Sequence, residues 1–139
     1  MTRDSSQISP FARLGQLMGK RAVDRLKNSR VAVFGLGAVG SFVVEALARS
    51  GIGYLRLVDF DRVDASNINR QIYALHSTLG QEKAALARAR VLDINPDCEV
   101  DLRTSFVNAD SLSRFLRPDL DMVVDAIDGL NSKVNLLVA

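Results

Sequence analysis

A glycine-rich turn is the first feature of this sequence that could do chemistry. Gly35, Gly37 and Gly40 have the spacing G-x-G-x-x-G, and they follow the apolar run 31–34. In such a turn the first glycine permits a tight bend, the second lets a phosphate approach the backbone, and the third lets the next helix pack closely on the strand. The unpaired N–H groups at the start of that helix attract anions. The pattern predicts a nucleotide site, and a turn used only for packing is the alternative.

Asp59 lies nineteen residues after Gly40, at the end of a second predicted strand, 54–58. A carboxylate in this place can accept hydrogen bonds from ribose hydroxyls. We therefore expect a mononucleotide or a dinucleotide with a free 2′-hydroxyl. The glycine turn and Asp59 alone do not decide between the two.

The segment 61–79 has no clean hydrophobic period, and a loop of this length between compact elements is usually functional. It contains Asn67 and Arg70, and Lys83 follows at the start of a predicted helix. A guanidinium and a compact ammonium suit a triphosphate, whereas an NAD dehydrogenase needs less cationic charge in this place. The sequence thus favours a triphosphate, and the alternative is that Arg70 and Lys83 are solvated surface residues.

Two aspartates follow one another on the fourth predicted strand, 121–127. Asp125 lies inside the apolar run of that strand, and Asp128 follows at its carboxyl end. Because an unpaired buried carboxylate is costly, we expect Asp125 to accept hydrogen bonds from backbone N–H groups. Asp128 would lie above the same crevice as the glycine turn, where a carboxylate can hold Mg²⁺ that bridges phosphate oxygens.

Strands that alternate with helices must bring these residues together. A further strand is predicted at 99–103, and helices are predicted at 14–26, 39–50, 80–93, 110–116 and 131–139. This alternation predicts the α/β class, with a Rossmann-like open parallel sheet and helices on both faces. The sheet looks truncated after its fourth strand, so we expect a fragment of a longer protein. We divide the chain into a flexible tail, 1–12, and a nucleotide-binding domain, 13–139.

Composition excludes several classes of protein. The 139 residues are 47% hydrophobic and 24% charged, with a net charge of +2, which is typical of a soluble globular domain. Residues 1–30 hold seven bases and two acids, so only this segment is basic, and a polybasic nucleic-acid-binding module is not expected. A single cysteine, Cys98, excludes an internal disulfide and is expected to be a passive core residue. No apolar run approaches the ~20 residues of a membrane span, so we expect no membrane association and a cytoplasmic location.

The motifs together resemble the ubiquitin-activating-enzyme-like adenylating superfamily, which includes the ThiF, MoeB and HesA enzymes. The resemblance runs from about Phe11 to the last residue. The motifs are VAVFGLGAVGS at 31–41, LVDFD at 57–61, NINRQ at 67–71, GQEK at 80–83, INP at 94–96 and DAID at 125–128. Within the superfamily the chain is similar to the tRNA threonylcarbamoyladenosine dehydratase (TcdA) group. Tyr73 departs from the family pattern, which commonly has a histidine there, and His76 is the single histidine.

This resemblance implies an ATP-dependent adenylation of a carboxylate and a set of residue roles. Gly35, Gly37 and Gly40 would line the adenosine and phosphate site, and Asp59 would bind the ribose. Asn67, Arg70 and Lys83 would hold the triphosphate, and Asp128 would position Mg²⁺. Arg13 would reach into the partner's site across a homodimer, although an alternative alignment puts Gln16 there. The family's C-terminal half, which completes the sheet and helps to form the dimer, has no counterpart in the sequence.

The resemblance also implies a substrate. In the TcdA group the carboxylate belongs to threonylcarbamoyladenosine in tRNA, which is cyclised with loss of water. One alternative is the C-terminal glycine of a ubiquitin-like sulfur-carrier protein, and another, of a different class, is an NAD(P)-binding module. A further alternative is a fragment that only dimerises. For the 139 residues alone we expect weak nucleotide binding and no measurable turnover.

Overall fold

Four parallel strands form the centre of the protein in a computed structural model that describes residues 9–139. They are β1 (Arg30–Phe34), β2 (Tyr54–Val58), β3 (Glu99–Arg103) and β4 (Met122–Asp125). The spatial order is β3-β2-β1-β4, and every neighbouring pair is parallel. The carboxyl ends of all four strands therefore meet at one edge of the sheet, where open α/β sheets bind their ligands.

Six helices surround this sheet within the described residues. They are α1 (Ala12–Met18), α2 (Lys20–Asn28), α3 (Ala38–Arg49), α4 (Lys83–Ile94), α5 (Ala109–Phe115) and α6 (Leu130–Val138). Alternate residues of β1 point to opposite faces: Val31 and Val33 pack with α3 and α4, while Ala32 and Phe34 pack with α5 and α6. The predicted fold class, an open parallel sheet covered on both faces, is confirmed. None of these helices has the length and hydrophobicity to cross a membrane.

The predicted elements agree with the structure except at four places. The helix predicted over 80–93 begins only at Lys83, because Gly80 has a positive φ of 78°. The single helix predicted over 14–26 is wrong, because Gly19, with a φ of 84°, separates α1 from α2. The fourth strand is shorter than predicted and ends at Asp125. The loop 61–79 contains two short 3₁₀ turns, Ala65–Asn67 and His76–Thr78. Residues 1–8 of the predicted tail lie outside the described residues.

A buried charged group ties β2 to its neighbours. Arg56 is 1% exposed, and its guanidinium donates to Asp101 on β3 at 2.8 Å and to the carbonyl of Phe115 at 2.7 Å. The same guanidinium donates to the hydroxyl of Tyr54 at 2.8 Å. These contacts satisfy a charge that would be very costly to bury alone, and the nearby arginines hold the pKa of Asp101 below its ordinary value despite burial.

Cys98 lies in the core between the sheet and α4, where it is 4% exposed. Burial raises the pKa of its thiol to about 11. A thiol in this environment is neutral at physiological pH and is shielded from reagents, which supports the passive role that we expect for it.

Acid is expected to weaken the fold through Glu45 on α3. Arg90 and Arg49 both donate to its carboxylate, and they hold its pKa below the ordinary value. A carboxyl with a lowered folded pKa adds stability above its unfolded pKa of about 4.3, and this stability is lost as the pH falls further. We expect Glu45→Gln to cost about 1 kcal/mol at pH 7 and much less at pH 3, as measured by urea unfolding. Glu99→Gln, at an exposed position without an ion pair among residues 9–139, is the control, and equal losses at both pH values would contradict the prediction.

Candidate functional site

A cavity of about 790 Å³ lies at the carboxyl edge of the sheet. It is bounded by the turn after β1, the segment after β2, the loop around Arg70, the first turn of α4 and the connection from β4 to α6. Eight of the residues that the sequence singles out line this one cavity, namely Gly35, Gly37, Asp59, Asn67, Arg70, Lys83, Asp125 and Asp128. The topology therefore brings together groups that are up to 93 positions apart in the sequence.

The three glycines of the turn have different surroundings. Gly35 has a φ of 90°, and a Cβ on it would lie 2.5 Å from the carbonyl oxygen of Ala126. A Cβ on Gly40 would lie 1.8 Å from the carbonyl oxygen of Gly35, so Gly40 packs α3 against the turn and does not line the cavity. Gly37 faces open space, with Gln71 Nε2 the nearest atom at 3.8 Å from such a Cβ. The expectation that Gly40 lines the nucleotide site is therefore wrong, because its place is taken up by close packing of the helix on the turn, while Gly35 and Gly37 do line the cavity. The role of Gly37 toward a phosphate stays a prediction.

Asp59 fixes the glycine turn in place. Its Oδ2 accepts the N–H of Leu36 at 2.6 Å, and its Oδ1 accepts the N–H of Asp61 at 2.8 Å. Burial raises the pKa of the carboxyl, while the two N–H groups and the Lys83 ammonium act in the opposite direction. Because a carboxylate oxygen can accept more than one hydrogen bond, both oxygens keep capacity for ribose hydroxyls, and that predicted role stays a prediction.

The loop that carries Arg70 is held by its own side chains. Asn67 is buried, and its Oδ1 accepts the N–H of Asp64 at 3.1 Å. Arg70 is exposed, and its Nη1 donates to the carbonyl of Ser66 at 2.7 Å and to Asn69 Oδ1 at 2.9 Å. Its Nε and Nη2 have no partner among residues 9–139, so one edge of the guanidinium is available to an anion. Asn67 serves mainly to shape the loop.

Two lysines of the cavity are ion-paired. Lys83 is only 5% exposed, and its Nζ lies 2.9 Å from Asp61 Oδ2. Lys133 in the first turn of α6 lies 2.5 Å from Asp125 Oδ2. The other oxygen of Asp125 accepts the N–H of Ile127 at 3.0 Å, which confirms the expected backbone hydrogen bond. Sequence reasoning missed Lys133, although its place at the start of the helix that follows β4 could have indicated it.

Charges in the cavity nearly balance. Four carboxylates, those of Asp59, Asp61, Asp125 and Asp128, face three cations, Arg70, Lys83 and Lys133. Asp128 is exposed and has no hydrogen-bond partner among the described residues. The same part of the chain offers no cluster of three or more acidic, histidine or cysteine ligands for a metal. A single carboxylate suits Mg²⁺ that arrives with phosphate oxygens and water as its other ligands, so this donor set fits the predicted ion.

Two expected residues lie away from the cavity. Arg13 is exposed on α1, which packs at the amino edge of the sheet through Phe11 against Gly51. Its expected role in a partner's site stays a prediction. Tyr73 is 4% exposed, its hydroxyl donates to the carbonyl of Ser41 at 3.4 Å, and burial raises its pKa. Tyr73 is thus a core residue, and neither it nor His76 lines the cavity.

Comparison with known proteins identifies the family. The ThiF family model matches residues 11–139. The chain belongs to the ThiF family. Among curated relatives, the tRNA threonylcarbamoyladenosine dehydratase of Bacillus subtilis is 49% identical over 130 residues, which is 94% of this chain and 51% of the relative. The expected family membership and the similarity to the dehydratase group are confirmed.

Solved structures of ThiF-family proteins show the same fold. The E. coli tRNA N6-threonylcarbamoyladenosine dehydratase TcdA in complex with ATP is 38% identical and superposes with a TM-score of 0.89, over 91% of this chain and 52% of that protein. Its complex with AMP has a TM-score of 0.90, also at 38% identity, over 92% of this chain and 52% of that protein. The chain spans about half the length of the relatives that it matches.

Proposed function

We propose that this chain is the nucleotide-binding part of an enzyme that uses ATP to adenylate a carboxylate. One observation supports this proposal most directly: four groups line a single cavity. They are the glycine turn, the buried ammonium of Lys83, the free edge of the Arg70 guanidinium and Asp128, which has no hydrogen-bond partner among residues 9–139. Such a set suits a polyphosphate with a bound divalent cation. The complexes of the E. coli relative with ATP and with AMP support this choice of nucleotide.

The proposed reaction begins when a carboxylate oxygen attacks the α-phosphorus of ATP. A bond forms between that oxygen and phosphorus, the bond to the bridging oxygen of the β-phosphate breaks, and the products are an acyl-adenylate and pyrophosphate. The N-terminus of α3 and the backbone at Gly37 receive phosphate oxygens, while Asp59 holds the ribose. Arg70 and Lys83 neutralise charge that develops on the leaving pyrophosphate, and Arg13 of a second copy would add to it.

Asp128 would hold Mg²⁺, which when bound would supply positive charge that offsets the charge of the phosphates. The balance of charges in the cavity supports this role, because the aspartates would otherwise repel a free triphosphate. No side chain of the cavity is required as a general base, since a carboxylate is already ionised at neutral pH. In the proposed reaction, catalysis comes from the positioning of ATP and the carboxylate and from neutralisation of the phosphate charge.

We propose that the carboxylate is that of threonylcarbamoyladenosine in tRNA. Activation of this group as an acyl-adenylate lets a nucleophile within the same modified base displace AMP, which gives a cyclic product with net loss of water. The 49% identity to the Bacillus subtilis dehydratase supports this acceptor. The cavity itself does not distinguish it from the C-terminal glycine of a sulfur carrier, so the acceptor needs its own experiment.

Calorimetric titration of the 139-residue chain tests the nucleotide. We expect weak binding of ATP that becomes at least about tenfold weaker without Mg²⁺, because the carboxylates then face the phosphates directly. Asp128→Asn should remove most of this Mg²⁺ dependence, whereas Asp97→Asn, at an exposed aspartate outside the cavity, should leave it unchanged. Tight NADH binding without ATP binding would instead support a dinucleotide module and defeat the proposal.

A hybrid enzyme tests the acceptor. Residues 11–139 would replace the matching half of the Bacillus subtilis relative, so that the remaining half is supplied by that protein. We expect pyrophosphate release that is stimulated by tRNA carrying threonylcarbamoyladenosine and not by the same tRNA without the modification. Stimulation by a carrier protein that ends in Gly-Gly, with no response to the modified tRNA, would show that the acceptor is wrong.

A further inference from the structure

The helical hairpin formed by α1 and α2 carries an unusual set of charges. It holds one acid, Asp24, and five exposed cations, namely Arg13, Lys20, Arg21, Arg25 and Lys27. Because Arg13 is assigned above to the site of a second copy, we reserve the name basic hairpin for the other four, Lys20, Arg21, Arg25 and Lys27. None of them takes part in the proposed chemistry within this chain, since none lines the cavity.

Elsewhere the chain neutralises most of its cations. Of the seventeen lysines and arginines within residues 9–139, nine form an ion pair with an aspartate or glutamate. The other eight have no ion-pair partner among these residues; four of the eight form the basic hairpin, and Arg13 lies beside them on α1. The remaining three, Arg70, Arg88 and Arg114, lie on separate elements. Unpaired positive charge is thus concentrated on one surface.

The α1–α2 hairpin contacts the rest of the protein near the start of α1 and at the end of α2. Phe11, just before α1, contacts Gly51, where a Cβ would lie 3.2 Å from its ring. At the end of α2, the N–H of Gly53 donates to the carbonyl of Leu26 at 3.3 Å, and a Cβ on Gly53 would lie 1.8 Å from the carbonyl oxygen of Lys27. The half-buried Leu26 packs on the core, and Val23 lies beside Gly15 of α1, while the cations of α2 are exposed.

We infer that the basic hairpin is a docking surface for the phosphate backbone of an RNA. Closely spaced cations without partners repel one another, and a polyanion relieves this repulsion while its condensed counter-ions are released. The surface lies at the amino edge of the sheet, and the cavity lies at the carboxyl edge. The two are separated by the length of a five-residue strand, roughly 17 Å, so one folded RNA can contact the hairpin while a loop reaches the cavity.

The choice of RNA over other polyanions rests on the proposed tRNA substrate. An anionic membrane is the less favoured partner, because a helix that lies in a membrane interface buries its apolar face there, whereas Val23 and Leu26 of α2 are already half-buried against α1 and the core. Leu17 and Met18, which are 83% and 55% exposed at the end of α1, offer only a small apolar contact. The observations therefore favour phosphate contacts without insertion.

The test measures how an unmodified tRNA transcript binds to the 139-residue chain at several salt concentrations, without any nucleotide, by fluorescence anisotropy. We expect Lys20→Gln/Arg21→Gln to reduce the slope of log affinity against log salt by about 2, and to weaken binding roughly tenfold at low salt. Arg88→Gln/Arg114→Gln is the matched control, because it removes two exposed, unpaired charges elsewhere and changes the net charge equally. The control should keep the slope of the parent chain, and the thermal unfolding of both variants should match that of the parent.

Three results would overturn the inference. One is an equal loss of slope in both variants, which would show a general effect of net charge. Another is the absence of measurable tRNA binding by the parent chain at low salt. The third is binding to vesicles of phosphatidylserine and phosphatidylcholine that exceeds binding to tRNA. Each leaves the ATP titration unaffected, so the inference and the proposed function can fail separately.

Discussion

Replacing Gly40 with alanine is expected to destabilise the protein by more than about 3 kcal/mol, whereas the same change at Gly37 should leave it folded. A methyl group at Gly40 would lie 1.8 Å from the carbonyl oxygen of Gly35 and 3.3 Å from Ala126 Cβ. Both neighbours are held to the sheet by backbone hydrogen bonds, from the N–H of Gly35 to Val58 at 2.9 Å and from the N–H of Ala126 to Phe34 at 2.8 Å. At Gly37 the same methyl group meets only the end of the Gln71 side chain, at 3.8 Å.

Gly37→Ala should nevertheless weaken ATP binding by about tenfold or more, because the methyl group occupies the space where a phosphate approaches the backbone. Its cost in stability should be no more than about 1 kcal/mol, the usual difference between glycine and alanine at a helix N-cap. Gly129→Ala is the matched control for stability, since Gly129 is the N-cap of α6 and a Cβ there meets nothing within 4 Å. Urea unfolding and calorimetry would measure the two effects, and equal stability of the Gly40 and Gly37 variants would contradict the assignment.

The second large effect is expected from Lys83→Met, which should weaken ATP binding by between about tenfold and about 100-fold while the fold is kept. Methionine retains the length and apolar stem of the buried lysine but not its charge. A charge-assisted hydrogen bond to phosphate contributes about 1.5–3 kcal/mol, which corresponds to this range of affinity. Asp61, the present partner, has a side chain that is 48% exposed, so it loses an ion pair without being left buried.

Lys27→Met on the solvent face of α2 is the control for Lys83→Met, since it is the same substitution with the same change in net charge. It should leave ATP binding unchanged. Calorimetry measures the affinity, and circular dichroism verifies the fold of both variants. If Lys83→Met binds ATP as the parent chain does, then the cavity does not hold a triphosphate in the way that we propose.

Much of the architecture could be predicted because its signals are local. The apolar run of β2 and the glycine spacing after β1 each identify an element without reference to the rest of the chain. The break at Gly19 could not be found in this way, because Leu14, Leu17, Ala22 and Leu26 keep a helical spacing across it. A single glycine inside a helical pattern is often tolerated, so periodicity alone gives no sign that the backbone there adopts a positive φ.

The candidate site was predictable to a similar degree. Asp59 and Asp128 follow the ends of strands and Lys83 begins a helix, so the convergence of these three residues follows from the parallel topology. Arg70 lies inside the loop 61–79, and its place depends on how that loop folds. The partners of the lysines were not predictable, because the pairs Lys83–Asp61 and Lys133–Asp125 join residues 22 and 8 positions apart through the detailed course of two connections. Hydrophobic patterns fix the sheet but do not specify which carboxylate a given ammonium will contact.

The ion pairs of Lys83 and Lys133 would affect product release in the proposed reaction. Asp61 and Asp125 form ion pairs with the ammonium groups of Lys83 and Lys133, at 2.9 Å and 2.5 Å. In the proposed complex, a polyphosphate would compete with these carboxylates for the N–H groups of each ammonium, which has three donors. When pyrophosphate dissociates in the proposed reaction, the two carboxylates would again be the main partners of the lysines. Their attraction would offset part of the electrostatic free energy that is lost as the charged product leaves. The feature that lowers affinity for the substrate would thus also speed release of the leaving group.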